Sequence, residues 1–151
     1  WSFVLIGAAD YDNPSSISSE ELYEMDSLGI IKWLGHLEDA SSHIKKSSIM
    51  CLPSYREGMP KVLLEGAAAG CAIITTDVPG CREAIEDNLT GLLVPLHDQD
   101  KLNEAILKFI SSDELRKNFG ERAIKHAALN YGIDSVVDKH LEIYNSLFVD
   151  T

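Results

Sequence analysis

The amino-acid sequence predicts an α/β fold in which a doubly wound, Rossmann-like parallel sheet is followed by a helical tail. Short runs of apolar and β-branched residues recur, and each run is followed by a segment with helical periodicity. The runs do not alternate in polarity, which indicates strands buried on both faces between layers of helices. The 151 residues, 45% hydrophobic and 25% charged, are enough for one globular domain with its own core.

The predicted elements alternate between strand and helix up to Pro95, with a spacing that fits right-handed crossovers. The predicted strands are Phe3–Ile6, Ile31–Leu34, Ile49–Leu52, Ala72–Thr75 and Leu92–Val94. The helices between them are Ser19–Leu28, Ala40–Lys46, Pro60–Ala69 and Arg82–Ile85. The tail holds three more helices, about Asp98–Ile110, Asp113–Leu129 and Ile133–Phe148, with Asp98, Asp113 and Asp134 at N-cap or first-turn positions.

Charge, hydropathy and cysteine usage narrow the class of protein. The chain has 13 basic and 24 acidic residues and a formal net charge of −11, which disfavours binding to nucleic acid. No apolar stretch approaches the roughly 20 residues that span a bilayer. The three cysteines form no C-x-x-C pair, so we expect reduced thiols in a cytoplasmic protein, with neither a disulfide framework nor a zinc site.

The segment after the third predicted strand has the features of an anion site. Ligands of open α/β sheets bind beyond the carboxyl ends of the strands. Gly58 allows a close approach of the backbone, and Pro60 suits the first turn of the following helix. The free N–H groups around Met59 to Val62 then carry partial positive charge at the mouth of the sheet.

Two carboxylates accompany this predicted helix start. Glu57 precedes the helix, and Glu65 lies about a turn and a half inside it with a side chain that leans toward the N-terminus. A carboxylate can accept hydrogen bonds from two neighbouring hydroxyl groups, as in a ribose or hexose. The alternative is that Lys61 and Glu65 form an i,i+4 surface pair and that Glu57 is a capping acid.

Two other loops follow predicted strands. The segment Thr75–Glu83 joins a strand to a helix through Pro79 and Gly80, and it can offer the Gly80 amide to a ligand or simply form a tight turn. The segment Gly35–Glu38 can supply backbone contacts to a base at Leu37. Its His36 fits a solvated loop histidine better than a catalytic residue.

The glutamate pair separated by seven residues, with Glu57-Gly58 at its start and Gly66–Gly70 after it, resembles the motif of glycosyltransferase family 4. These are the group 1 glycosyltransferases of GT-B fold. Other segments resemble the family in the same order, so the resemblance covers nearly the whole chain: Ile31–Gly35, Cys51–Gly58, Ile74–Glu83 and Thr90–Val94.

The resemblance implies that residues 1–151 form the C-terminal, nucleotide-sugar-binding domain of a two-domain enzyme. Glu57, as the catalytic candidate, and the backbone from Gly58 to Lys61 would face the donor sugar and its phosphates. Glu65 would hold the ribose hydroxyls. The family's basic pair after its first strand has no counterpart here, so we expect the first βα unit to lie upstream of Trp1.

The family usually has phenylalanine-glycine after the first glutamate-glycine, whereas this chain has Met59-Pro60-Lys61. This variant resembles transferases that build bacterial capsular or lipopolysaccharide units on lipid carriers. The resemblance implies a retaining transferase that uses a UDP-hexose or UDP-N-acetylhexosamine without a cofactor. The glycan or polyprenyl-linked acceptor would bind through an N-terminal domain, with peripheral association at the inner face of the cytoplasmic membrane.

Three alternatives compete with this hypothesis. Asp10-Tyr11-Asp12 and Asp98-Gln99-Asp100 resemble metal-binding D-x-D sequences, but neither has convincing ligand geometry, so we expect no metal. A dehydrogenase would need G-x-G-x-x-G after its first strand, and only Gly7 is present. A non-catalytic nucleotide-sugar-binding or interaction domain remains the alternative function.

Overall fold

A computed structural model describes residues 1–12 and 16–148 of the chain. The chain divides into two compact units, residues 1–42 and residues 43–151. In the part of the chain that is described, no helix has the length and apolar character needed to cross a membrane. The prediction that residues 1–151 act as one nucleotide-sugar-binding domain stays a prediction.

The first unit contains two short parallel strands and one helix. β1 (Val4–Leu5) pairs with β2 (Lys32–Trp33) in parallel, and α1 (Ser19–Ser27) connects them. α1 begins at a capping box in which Ser18 and Glu21 satisfy each other's backbone N–H groups, so the helix starts where the sequence predicts it. The indole N–H of Trp33 donates to the Gly7 carbonyl oxygen at 2.8 Å, which fixes the chain that leaves β1.

The second unit is built on a three-stranded parallel sheet in the order β3-β4-β5. Its strands are β3 (Ile49–Leu52), β4 (Ala72–Thr76) and β5 (Gly91–Val94). The helix α2 (Ser41–Ile44) precedes β3, while α3 (Lys61–Ala68) and the single turn α4 (Cys81–Ala84) follow β3 and β4. All five residues of β4 are buried because this strand has a neighbour on each side and helices on its faces.

Three helices follow β5, as predicted: α5 (Gln99–Ile110), α6 (Asp113–Tyr131) and α7 (Ile133–Phe148). The Asp98 carboxylate caps α5 by accepting from the Lys101 N–H at 2.9 Å, and the Ser112 hydroxyl caps α6. An apolar face of α5 forms core: Phe109 is fully buried against Phe119 of α6, with ring centroids 5.1 Å apart.

The predicted α/β class with parallel strands is confirmed, with two differences of detail. The strands pair as two sheets, β1-β2 and β3-β4-β5, whereas the sequence suggested one sheet. Burial on both faces holds for β4 but is wrong for β1, whose Val4 and Leu5 are 45% and 39% exposed. An apolar run shows that a strand can be buried, and only its neighbours decide whether it is.

The cysteines are all free, and their surroundings differ. Cys71 and Cys81 are buried, whereas Cys51 is exposed. Burial raises the pKa of the Cys71 thiol, which lies 3.3 Å from the Ser47 carbonyl oxygen as a weak donor. Cys71 therefore acts as a small core residue.

Candidate functional site

The carboxyl ends of β3, β4 and β5 lie at one edge of the parallel sheet, and the three loops that follow these strands meet there. The loop after β3 runs to Pro60, the loop after β4 to Gly80, and the loop after β5 to Asp98. Since this edge is where open α/β sheets bind ligands, the loops define the candidate site. Seven of the eight predicted donor-binding residues and Glu57 lie in or next to these loops.

Hydrogen bonds from the end of β4 hold the Glu57 segment in place. The Ser54 hydroxyl donates to Glu57 Oε1 at 2.6 Å, and the Thr76 hydroxyl donates to the Ser54 carbonyl oxygen. The Thr75 hydroxyl donates to the Leu52 carbonyl oxygen at 2.8 Å. Both threonines are buried, and their bonds tie the loop after β3 to the neighbouring strand. The half-buried Glu57 carboxylate is anchored through one of its oxygens, by the Ser54 hydroxyl.

Sequence reasoning missed the two threonines as positioning residues. The sequence does contain a signal for them: two adjacent hydroxyl side chains end a strand that is otherwise apolar. Each buried hydroxyl needs a hydrogen-bond partner. The sequence does not say that the partners are Leu52 and Ser54, because that depends on the β3-β4 register.

Gly80 brings the second predicted loop against the first. It has a left-handed φ of +82°, and it is buried at the N-terminus of α4. A Cβ atom placed there would lie 1.9 Å from the Gly58 carbonyl oxygen and 2.7 Å from the Glu57 carbonyl oxygen. The two backbones therefore pack together as only glycine permits, which confirms that the two loops are neighbours.

The start of α3 leaves backbone donors at this edge. Pro60 is buried at the N-cap, and Leu63 donates its N–H to the Pro60 carbonyl at 3.0 Å. No side chain caps this end, and the Lys61 and Val62 N–H groups precede the first bonded turn. Met59, which precedes Pro60, is exposed. The role of this segment as a site for the diphosphate stays a prediction.

Glu65 and Lys61 are both exposed on α3, one turn apart. The ion pairs among the described residues do not include one between them. The surface-pair alternative therefore has no support in this geometry, and the Glu65 carboxylate is available to a ligand. Its role as a ribose ligand stays a prediction.

Leu37 is the predicted site residue that belongs to the first unit. It is half-buried in the first unit, in the segment that follows β2. The neighbouring Gly35 accepts at its carbonyl oxygen from the Gly7 N–H at 2.8 Å, so the segments after β1 and β2 are joined. A contact of Leu37 with a base stays a prediction.

An ion pair joins the loop after β4 to α4. The guanidinium of Arg82 in α4 donates from Nε to Asp77 Oδ1 at 2.6 Å, and this bond raises the pKa of Arg82.

Within residues 1–12 and 16–148, no group of three or more His, Cys, Asp or Glu side chains is arranged to hold a metal ion. In the two D-x-D sequences, Asp10 accepts from the Asp12 N–H and Asp98 caps α5.

The chain is similar to a known family of proteins. Residues 1–126 match the family described as "Glycosyl transferases group 1". A relative from Campylobacter jejuni, N,N'-diacetylbacillosaminyl-diphospho-undecaprenol alpha-1,3-N-acetylgalactosaminyltransferase, is 34% identical over 144 residues, 95% of this chain and 37% of the relative. A second Campylobacter jejuni relative, an alpha-1,4-N-acetyl-D-galactosaminyltransferase acting on a diphospho-undecaprenol-linked glycan, is 28% identical over 95% of this chain and 38% of its own length.

Solved structures share the fold. Anabaena HepE in complex with UDP superposes with a TM-score of 0.82 at 17% identity, over 96% of this chain and 41% of HepE. The C-terminal domain of a group 1 glycosyl transferase from Francisella tularensis superposes with a TM-score of 0.75 at 24% identity, over 88% of this chain and 71% of that domain.

The chain thus spans less than two fifths of the length of these curated relatives, and its fold is that of a C-terminal GT-B domain. The family match covers both the Glu57–Glu65 segment and the loop at Gly80. The chain belongs to the group 1 glycosyltransferases.

Proposed function

We propose that this chain binds the nucleotide-sugar donor of a retaining glycosyltransferase, which transfers a hexose or N-acetylhexosamine from a UDP-sugar to a glycan or lipid-linked acceptor. The observation that carries the proposal is the convergence of an anchored carboxylate, Glu57, with the uncapped N-terminus of α3. A sugar nucleotide needs both features, because its sugar presents hydroxyl donors and its diphosphate presents negative charge.

The predicted residues of the second unit have the following roles in this proposal. Glu57 faces the donor sugar and the bond that breaks, and the backbone N–H groups between Gly58 and Val62, of which Pro60 supplies none, face the diphosphate. Glu65 holds the ribose hydroxyls, while Gly80 keeps the Gly58 backbone in place. When the bond between the anomeric carbon and the phosphate oxygen breaks, negative charge develops on the leaving diphosphate, and amides already oriented toward it stabilise the transition state.

The names of similar proteins support this choice of substrates. The Campylobacter jejuni relatives are named for transfer of N-acetylgalactosamine to diphospho-undecaprenol-linked acceptors. HepE has been solved with UDP and with UDP-glucose. We propose a role in bacterial cell-surface polysaccharide synthesis, in capsule or lipopolysaccharide assembly, with no cofactor. The whole enzyme is proposed to work at the cytoplasmic face of the membrane.

The two glutamates give the sharpest test. Glu65→Ala is expected to weaken binding of both UDP and UDP-N-acetylglucosamine by a similar amount, roughly 1.5–3 kcal/mol for a lost hydrogen bond to a charged group. Glu57→Ala is expected to spare UDP and to weaken only the nucleotide sugar. Isothermal titration calorimetry of both ligands measures the difference, and Glu121→Ala, an exposed helical glutamate in α6, is the matched control.

In the full-length enzyme, the Glu57 change is expected mainly in turnover and the Glu65 change mainly in the Michaelis constant for the donor. If both variants bind UDP and UDP-N-acetylglucosamine like the Glu121→Ala control, the glutamates are surface residues and the proposal fails.

A further inference from the structure

The turn α4 connects the candidate site to the long helix α6. It has four residues, Cys81–Ala84, and the chain is extended again at Ile85. The Ala84 N–H donates to the Gly80 carbonyl oxygen at 3.2 Å, which closes the turn. A single helical turn is not stable by itself, because fixing its backbone costs more than one hydrogen bond returns. The position of α4 therefore depends on its contacts with other elements.

Two side chains of α6 hold the end of α4. The Tyr131 hydroxyl donates to the Glu83 carbonyl oxygen at 2.5 Å, which satisfies one of the carbonyl groups that a helix end leaves without a partner. Nδ1 of His126 lies 3.1 Å from Oε1 of Glu86, two residues beyond α4. Since a carboxylate only accepts hydrogen bonds, Nδ1 is the donor in this contact. We call these two contacts the α4 clamp.

The two α6 side chains of the α4 clamp lie largely inside the protein. The His126 side chain is 13% exposed, and Tyr131 is half-buried. Their rings lie 5.9 Å apart between centroids, so the two side chains support each other. In such surroundings a hydrogen bond is screened less by water than it is at an open surface, and it restrains its partner more strongly.

The helix α6 can serve as a fixed support because it also packs on α3. Ala123 and Ala127 of α6 form a buried cluster with Ala67 of α3, and the three residues are 0%, 6% and 1% exposed. Ala127 is adjacent to His126 in the chain. One helix thus holds both α3 and α4, and the loops that lead into these two helices pack together in the candidate site.

A displacement of α4 would pass to the Glu57 segment. Gly80 immediately precedes α4, and its backbone approaches the Gly58 carbonyl oxygen so closely that no Cβ would fit between them. Cys81 and Ala84 are 0% and 1% exposed, so the turn has no free space in which to deform. A loss of the α4 clamp is therefore expected to change the contact between Gly80 and Gly58.

We propose that Tyr131 and His126 are positioning residues for the nucleotide-sugar donor. From α6 they hold α4 in the place that keeps Gly80 against Gly58. This inference rests on the proposed function, because it takes the Gly58 backbone as part of the donor site. Both residues lie outside the loops of that site, and Tyr131 lies beyond the residues 1–126 that match the family.

The test measures UDP affinity of the full-length enzyme by isothermal titration calorimetry. Tyr131→Phe removes only the hydroxyl group, and we expect UDP to bind about three- to tenfold more weakly, the size of one lost hydrogen bond. His126→Leu is expected to lose a similar factor. His126→Asn keeps a side-chain N–H near the position of Nδ1, so it is expected to bind UDP within twofold of the parent. Should His126→Leu fail to fold, Tyr131→Phe decides, since it keeps the ring.

Ser112→Ala is the matched control because it also removes a hydroxyl group from α6, at the opposite end. The Ser112 hydroxyl accepts from the Leu115 N–H at 3.1 Å and caps the helix. Its loss is expected to lower the urea midpoint of unfolding and to leave UDP affinity unchanged. A general loss of stability in α6 is thereby separated from an effect on the site.

A double-mutant cycle tests the route through α4. Gly80→Ala already separates the two loops, so Tyr131→Phe is expected to change UDP affinity less than twofold when it is added to Gly80→Ala. Independent sites would instead each contribute their full factor. This non-additivity is a readout that a merely structural role of Tyr131 would not produce.

The outcomes distinguish this inference from the proposed function. If the parent enzyme does not bind UDP, the proposed function fails, and this inference fails with it. If the parent binds UDP, but Tyr131→Phe and His126→Leu bind it within twofold of Ser112→Ala, the proposed function stands and the α4 clamp does not position the site. If Tyr131→Phe weakens UDP by the same factor with and without Gly80→Ala, Tyr131 does not act through Gly80 and the inference is overturned.

Discussion

Replacing Gly80 with alanine tests whether the two loops of the candidate site must pack backbone against backbone. The new Cβ would lie 1.9 Å from the Gly58 carbonyl oxygen, whereas real Cβ atoms stay at least about 3.0 Å from their neighbours. The loops must therefore separate by about 1.1 Å. The α4 side is held by Cys81 and Ala84, which are 0% and 1% exposed, so the exposed Gly58 segment is expected to move.

This displacement has two measurable consequences. The Glu57–Gly58 backbone moves away from the α3 amides, so we expect at least a tenfold loss of UDP affinity, about 1.4 kcal/mol. In Gly80→Ala, the left-handed φ is expected to lower the free energy of unfolding by about 1–2 kcal/mol. The close contact of the new Cβ with the Gly58 backbone is expected to lower it by about 1–3 kcal/mol more. Calorimetry with UDP measures the first effect, and urea unfolding measures the second.

Gly29→Ala provides the matched control for Gly80→Ala. Gly29 has a similar φ of +70°, and nothing lies within 4 Å of a Cβ placed there. It is expected to lose only the conformational part, about 1–2 kcal/mol of unfolding free energy, and to bind UDP normally. If Gly80→Ala loses no more stability than Gly29→Ala and binds UDP like it, the close packing of the two loops does not support the site.

Three other predictions concern metal, transfer and pH. UDP affinity is expected to survive a chelator, because the α3 amides are available to the diphosphate. A loss of most affinity that magnesium or manganese restores would contradict this prediction. The 151-residue chain by itself is expected to bind UDP without transferring sugar, and a product detected by mass spectrometry would show otherwise. Because burial raises the pKa of Cys71, the folded chain keeps this proton at pH values where the unfolded chain has lost it. The protonated Cys71 thiol contributes its full stabilisation of the fold below the pKa of the thiol in the unfolded chain, about 8.5. This stabilisation is lost as the pH rises through the higher pKa of the thiol in the folded chain. Urea unfolding is therefore expected to show a smaller alkaline loss of stability for Cys71→Ala than for the parent, and equal losses would contradict the assignment.

Much of the fold could be predicted from local signals. The helix predicted over Pro60–Ala69 is observed as Lys61–Ala68, and the one predicted over Asp113–Leu129 runs to Tyr131. Helical periodicity and capping residues act within one or two turns, so the sequence carries them directly. The pairing of strands into two sheets was not predicted, because it depends on contacts between segments far apart in the chain.

The candidate site divides in the same way. The sequence by itself determined the glutamate pair, the helix that starts after Pro60 and the presence of Gly80 beyond a strand, since each lies within one short segment. Only the tertiary structure placed Gly80 against Gly58, the Thr76 hydroxyl on Ser54 and the ring of Tyr55 beside His97. These contacts join residues about 20 to 40 positions apart, and they exist because parallel pairing of β3, β4 and β5 brings the ends of three strands to one edge.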